Sequence, residues 1–294
     1  MSVRKLYAAA AVVALSNATL LCKTQSQPNP IAADYPNDPT GTVNGTIAIL
    51  PIPYSIARSI IPSEYPILTR AISSILPHLP ADEYPAFLQL DIDHDVQASG
   101  ISIPDFLQAK ILFPFVDRLG DGYTSMMYGS QGLISADNLV AVVGSSVYGY
   151  VVTGGTFDPP CDAYGCVEGS EDCEEKYFNA YSALDILREQ PKIGINFTTT
   201  DNSPYSLDVF KNITNQPQFS ANKLLCDQFI RLFNSSVTMP PYAPQAIRAQ
   251  VSAVAPFFAQ TTSWSDVYGF QLDNAFIEHN LVQCDSLQGY QFTD

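Results

Sequence analysis

The stretch Gly120-Asp121-Gly122-Tyr123-Thr124-Ser125-Met126-Met127-Tyr128 decides how this chain is read, together with Ala141-Val142-Val143-Gly144-Ser145-Ser146-Val147-Tyr148-Gly149-Tyr150-Val151-Val152-Thr153 shortly after it. Gly-Asp-Gly is turn chemistry, and the apolar runs that follow are rich in β-branched and aromatic residues. The pattern predicts strands over Tyr123 to Tyr128, Val140 to Val143 and Val147 to Thr153. Side chains alternate along a strand, so Tyr148, Tyr150 and Val152 would share one face. Such a face reads as a pocket wall carrying phenol hydroxyls, and equally as plain core packing.

Working outward, Thr46 to Ile52, Phe87 to Asp95 and Gln108 to Phe115 also read as strands. Short helices are expected over Tyr54 to Ile61, stopped by Pro62, and over Ile67 to Leu76, with Ile67, Leu68, Ile72 and Leu76 as its apolar face. Asn222 to Phe233 reads as the best amphipathic helix, with Leu224, Leu225, Phe229, Leu232 and Phe233 on one side. Abundant Pro, Tyr, Phe and Val, broken by Gly, Asn and Asp, favours short strands over a helical bundle. The prediction is an α+β fold, mainly antiparallel β, as a sheet or barrel with a few flanking helices. No repeat or low-complexity linker divides residues 41–294, which are taken as a single domain.

Arg4 and Lys5, the apolar run from Leu6 to Leu15 and the small triplet Ser16-Asn17-Ala18 form a secretory signal peptide over residues 1–18. The run is shorter than the about 20 residues that anchor a helix in a bilayer. A lipidated Cys22 is the rival reading, disfavoured because Leu21 before it is large. Residues 19–40, rich in Pro, Asn, Asp and Gln, are expected to be an unstructured leader. The mature protein is expected outside the cell with no membrane attachment. Losing Arg4 and Lys5 takes the net charge from -15 to -17. Such a surface repels nucleic acid and anionic lipid.

Export gives an oxidising compartment, where Cys22, Cys161, Cys166, Cys173, Cys226 and Cys284 are expected to form disulfides of undetermined pairing. Cys161, Cys166 and Cys173 lie in one short insert, but their spacing and the lack of a nearby histidine argue against zinc. Asn44, Asn196, Asn212 and Asn234 head glycosylation acceptor triplets, which several together after a signal peptide make those of a eukaryotic secreted glycoprotein.

The opening stretch resembles the segment of the acetoacetate decarboxylase family that reads Gly-Asp-x-Tyr-x-x-Met-Met-Tyr and carries the catalytic lysine. Three further landmarks agree in order. Ile56 to Pro62 is similar to a short helix ending in proline. Leu88 to Asp95, with Ser99-Gly100 after it, is similar to a strand ending His-Asp before a Ser-Gly turn. Asp105 to Gln108 stands where the family has Tyr-x-Glu. The resemblance spans roughly Thr46 to Phe157 and stops before Cys161. It implies a conical β-barrel around a hydrophobic pocket and, taken with the signal peptide, a secreted, fungal-type member that lacks the Schiff-base lysine. There the family's buried neutral lysine forms an imine with a β-keto acid, without any cofactor.

Carried over residue by residue, the imine lysine falls on Val152 and its neighbour on Thr153. The two family glutamates fall on Gln89 and Gln108, and the arginine falls near Val43. The resemblance therefore implies an uncharged pocket, since a buried carboxylate without its cation is costly. Lys110, two residues from Gln108 on one strand face, is the only lysine in the matched region. It would be a displaced imine former or anion anchor if that face lines the pocket, and an exposed strand lysine otherwise.

Asp91, Asp93 and Asp95 alternate around His94, a row that could hold a hard cation but reads better as a solvated strand end, with a structural hydrogen bond at His94. Ser145 and Ser146 would need a histidine and an acid, and His78, His94 and His279 carry no such signature. The expected function is binding or transforming a hydrophobic carbonyl-containing small molecule without Schiff-base chemistry. The alternatives are a β-keto-acid decarboxylase working through Lys110, and a non-catalytic secreted binding protein.

Overall fold

A computed structural model describes residues 27–221 and 224–289. The strands are β1 (Thr40–Pro53), β2 (Glu83–Ala98), β3 (Ile101–Ile103), β4 (Phe106–Asp117), β5 (Ser125–Ser135) and β6 (Val151–Asp158). They continue as β7 (Gly165–Cys166), β8 (Lys176–Ser182), β9 (Ile193–Thr199), β10 (Gln218–Phe219), β11 (Leu225–Leu232), β12 (Gln245–Ala253) and β13 (Thr262–Gln283). Four helices, α1 (Tyr54–Ile60), α2 (Thr69–Ile75), α3 (Leu139–Ser146) and α4 (Leu207–Thr214), interrupt them. The expected α+β fold, mainly antiparallel β with few helices, is what these elements make.

Pairing runs β1-β2-β4-β5-β10-β11-β13, and β13 pairs back onto β1, so these strands close a ring. Only the short β5–β10 contact in that ring is parallel. Closure rests on the length of β13, which pairs with β1, β11 and β12 along its course. Ile47, Ile49, Leu88, Leu90 and Leu112 are buried in the core. From α4, Phe210 packs on Phe270 with ring centroids 5.1 Å apart and on Phe87 at 6.4 Å.

The Gly-Asp-Gly-Tyr motif closes the β4–β5 hairpin. The Asp117 carboxylate accepts from the Gly120, Asp121 and Gly122 amides at 2.7, 3.2 and 2.9 Å. Gly120 and Gly122 both sit at φ 72°, where a side chain would strain the backbone. Asp121 accepts from Tyr123 N, Thr124 N and Thr124 Oγ1, which holds its carboxyl below the usual carboxylate range. The motif that draws attention in the sequence thus sets the turn.

Three segments differ from expectation. Residues 140–143 are helical, within α3, because the Asn138 side chain caps its start by accepting from Ala141 N at 3.0 Å. The strand expected from Val147 begins only at Val151, after a turn through Gly149. The helix expected over 222–233 is β11, whose backbone pairs with β13 from Leu225 to Leu232. Ladder bonding there overrides an apolar pattern that suits a helix.

The expected leader is described from residue 27 onward and packs on the domain rather than hanging free. Ile31 is buried with Val237, Ala275 and Ile277, and the Gln97 amide donates to Tyr35 O and Asp38 O. The expected signal peptide and Cys22 lie outside the described residues. Cys166 pairs with Cys173 and Cys226 with Cys284. No described cysteine is free. Among the described residues no helix is long and apolar enough to cross a membrane. Asn196, Asn212 and Asn234 are exposed, whereas Asn44 is half-buried in a strand paired on both edges.

Candidate active site

A cavity of about 270 Å³ opens on the ring. β2 contributes Gln89 and Asp93, β4 contributes Gln108 and Lys110, β11 contributes Asp227, and β13 contributes Glu278. Register explains the convergence. Gln89 faces Lys110, Asp91 faces Gln108, and Phe229 faces Glu278 across adjacent strands. Further along β2, β3 and β4 the wall turns apolar through Val96, Ile103 and Phe106. The exposed Val140, Val147 and Leu281 mark its mouth.

Tyr150 lies across β5 because that strand has glycine where its ring needs room. A Cβ at Gly129 would come 2.1 Å from the ring, and one at Gly132 would come 2.7 Å from it and 3.2 Å from Lys110 Cγ. The ring in turn seats Lys110, whose Nζ stands 5.7 Å from its centroid. The Tyr150 hydroxyl is buried with no hydrogen-bond partner among the described residues, and burial keeps it protonated. Tyr148 OH donates to Asn280 Oδ1 and accepts from Leu281 N at 3.1 Å. Burial, then the charges of Asp227 and Glu278, push its pKa up.

Lys110 makes no hydrogen bond or ion pair among the described residues. Its charge nevertheless bears on four carboxylates, Asp91, Asp93, Asp227 and Glu278, and lowers the pKa of each. Burial outweighs that help, and all four end above the usual carboxylate range. Asp93 is pushed well up by burial and then by the Asp91 charge, while its Oδ2 accepts from Gln108 Nε2 at 2.6 Å. Asp227 is pushed well up by burial, then by the charge of Glu278 and by a hydrogen bond to it. The same bond pulls Glu278 down, so Asp227 holds the proton of this pair. One oxygen each of Asp93 and Asp227 is buried without a hydrogen-bond partner among the described residues.

Arg231 from β11 is 1% exposed, and its Nη2 donates to Asp91 Oδ2 at 3.1 Å. The Asn215 side chain brackets the Arg231 backbone, accepting from its N at 2.8 Å and donating to its O at 3.1 Å. This cation is therefore committed beneath the cavity wall.

These contacts correct the expectation of an uncharged pocket. Of the expected pocket residues, Gln89, Gln108, Tyr148, Tyr150 and Lys110 line one cavity, but Val152 is not among its lining. Tyr148 and Tyr150 reach it from a turn instead of one strand face. A buried arginine exists, arriving from the C-terminal half instead of near Val43. Asp91 and Asp93 are buried side by side with Gln89, which removes the reading of a solvated strand end. His94 accepts or donates at Nδ1 with Thr42 Oγ1 and Asp95 Oδ2, both at 2.9 Å. Ser145 lines the cavity, and among the described residues no histidine lines it.

Sequence reading missed Asp227 and Glu278, and placed Asp93 in a solvated strand end instead of the cavity. For Asp93 the signal was present, since Gln89, Asp91 and Asp93 alternate on one face.

No protein-family model matches the sequence, and no curated protein is similar to it in sequence. In fold the chain is similar to the enduracididine biosynthesis enzyme MppR. With HEPES buffer bound, that structure gives a TM-score of 0.50 at 9% identity, covering 84% of this chain and 88% of that one. Its complex with pyruvate gives 0.50 at 10% identity, covering 84% and 90%. An acetoacetate decarboxylase-like enzyme from Sphingomonas wittichii RW1 gives 0.49 at 7% identity, covering 84% and 92%. Identities this low speak to fold alone.

Proposed function

We propose that this chain is an exported glycoprotein enzyme built on the conical barrel of acetoacetate decarboxylase-like proteins, transforming a carbonyl compound through an imine on Lys110. One observation carries the reading: the Lys110 amine stands on a cavity wall with no ion-pair partner among the described residues, amid carboxyl groups whose pKa values are all raised. A structural lysine near four acids would be expected to pair with one of them. Carboxyl groups with raised pKa values exchange protons closer to neutral pH, which general acid–base work requires.

The chemistry follows from those roles. Once its ammonium proton has passed to one of the surrounding carboxylates, Nζ attacks the carbonyl carbon, a C–N bond forms and the carbonyl π pair moves to oxygen. Asp227, the protonated member of its pair, supplies a proton to that oxygen. Loss of water leaves the iminium, and the Glu278 carboxylate offsets its charge and can take a proton from the adjacent carbon to give the enamine. Tyr150 holds the amine against one wall, and Gln108 orients Asp93. The amine now sits on β4, not at Val152.

The test is trapping with sodium borohydride in the presence of methyl 3-oxooctanoate, followed by peptide mapping. A reduced adduct is expected on Lys110 and none in Lys110→Met. Lys176, whose amine pKa is pushed below its ordinary value by burial and which donates to Gln271 Oε1 at 2.8 Å, is mapped in the same digest as the competing amine. No adduct on Lys110 with either this ester or 3-oxooctanoate itself, or an adduct on Lys176 alone, would refute the assignment.

A further inference from the structure

We infer that the cavity selects a carbonyl compound that is uncharged around its reacting carbon, with an apolar tail, and discriminates against keto acids; this rests on Lys110 as the amine. The charge inventory at the site decides it. A substrate carboxylate next to the carbonyl must find a cation once it leaves water. Lys110 cannot serve, because it becomes the iminium, whose single charge is already opposed by Glu278. Arg231 cannot serve either, because Asp91 holds it beneath the wall at 3.1 Å. Among the described residues no other lysine or arginine lines the cavity.

What lines it instead are acids. Asp93 and Asp227 each turn an oxygen with no hydrogen-bond partner into buried space, among the described residues. Asp227, which holds the proton of its pair, donates to a neutral oxygen, while the Glu278 carboxylate and an ionised Asp93 repel an anion. Like-charge juxtaposition in a desolvated site is among the stronger discriminating elements a protein can use. Beyond the acids, Val96, Ile103, Phe106 and Phe276 offer apolar surface toward the mouth. That surface suits a short hydrocarbon chain attached to the carbonyl, within a cavity of about 270 Å³.

The experiment compares 3-oxooctanoate with its methyl ester, which share their carbon skeleton and differ in charge. Trapping rates on Lys110 are measured at pH 7 by borohydride reduction and mass spectrometry. The ester is expected to react about tenfold faster or more, the scale of one modest desolvated interaction. In Asp93→Asn, and separately in Glu278→Gln, the acid should gain on the ester, because an anionic group is gone from the lining. Equal or faster trapping of the acid in the unsubstituted protein overturns this inference and leaves the Lys110 assignment standing. Trapping of neither compound overturns both. A preference for the ester that neither substitution changes overturns the electrostatic account.

Discussion

Replacing Arg231 by methionine removes the one cation buried with Asp91 while keeping much of the side-chain volume. Coulomb's law at the observed 3.1 Å, with an effective dielectric of about 20, gives an attraction of roughly 5 kcal/mol. The loss has a ceiling, because Asp91 can escape by taking a proton. At pH 7, against an ordinary value of 3.8, protonation costs about 4 kcal/mol. At pH 5 it costs about 1.6 kcal/mol by the same relation. Since Asp91 already lies above its ordinary value, the penalty should fall below each ceiling. Arg231→Met is therefore expected to lower stability by roughly 2–4 kcal/mol at pH 7, with a markedly smaller loss at pH 5. Urea melts at the two pH values read this directly, and at pH 7 the melting temperature should drop by roughly 5–15 °C. Adding Asp91→Asn to Arg231→Met should recover most of the loss, since no charge remains buried. A pH 7 penalty below about 1 kcal/mol, or one unchanged at pH 5, would refute the idea that Arg231 is held by Asp91.

Three other outcomes are expected. Because burial raises the carboxyls of Asp91, Asp93, Asp227 and Glu278, the folded state holds their protons more tightly than the unfolded chain does. Their contribution is complete below the ordinary 3.8–4.5 range and is lost as pH rises through the raised values, so melting temperature should fall from pH 5 to pH 8 and flatten in Asp93→Asn/Asp227→Asn. Gly129→Ala forces a methyl into the Tyr150 ring and should cost about 1–3 kcal/mol by urea melt, recovered by Tyr150→Ala on the same background. Cys226→Ala/Cys284→Ala opens a link across 58 residues and should cost roughly 4 kcal/mol by the chain-entropy relation, read against the unsubstituted protein under non-reducing conditions.

Much of the N-terminal half is legible without coordinates, and the reasons are local. β1, α1, α2, β2 and β4 announce themselves through periodicity, proline stops and a turn motif whose glycines sit at φ 72°. Gln89, Gln108 and Lys110 could be placed together because strand alternation puts the last two on one face and the β2–β4 hairpin relation brings in the first. The acids could not. Asp227 lies on a segment with a helical apolar pattern, and only pairing with the distant β13 makes it a strand. Glu278 reaches the cavity through register with Phe229, a relation between residues far apart in the chain. Val152 misled for the opposite reason: a motif match fixes sequence position, while the turn at Gly149 delays the strand to Val151, and Val152 pairs with Gly132 without lining the cavity.

The placement of charge also explains why the site needs both halves of the chain. Lys110 and Asp93 come from β4 and β2, Asp227 and Glu278 from β11 and β13, and the groups meet because β13 returns to pair with β1. Buried acids in such number would be untenable as four anions beside one free cation. Three features relieve them: Arg231 takes Asp91, Asp227 shares its proton with Glu278, and Gln108 donates to Asp93. What stays uncommitted is the Lys110 amine, with the proton-bearing groups arranged around it. A protein that required only stability would gain by converting those acids to apolar side chains, as buried ionic groups commonly allow. Acids around an amine with no ion-pair partner among the described residues are the arrangement that the proposed imine chemistry requires.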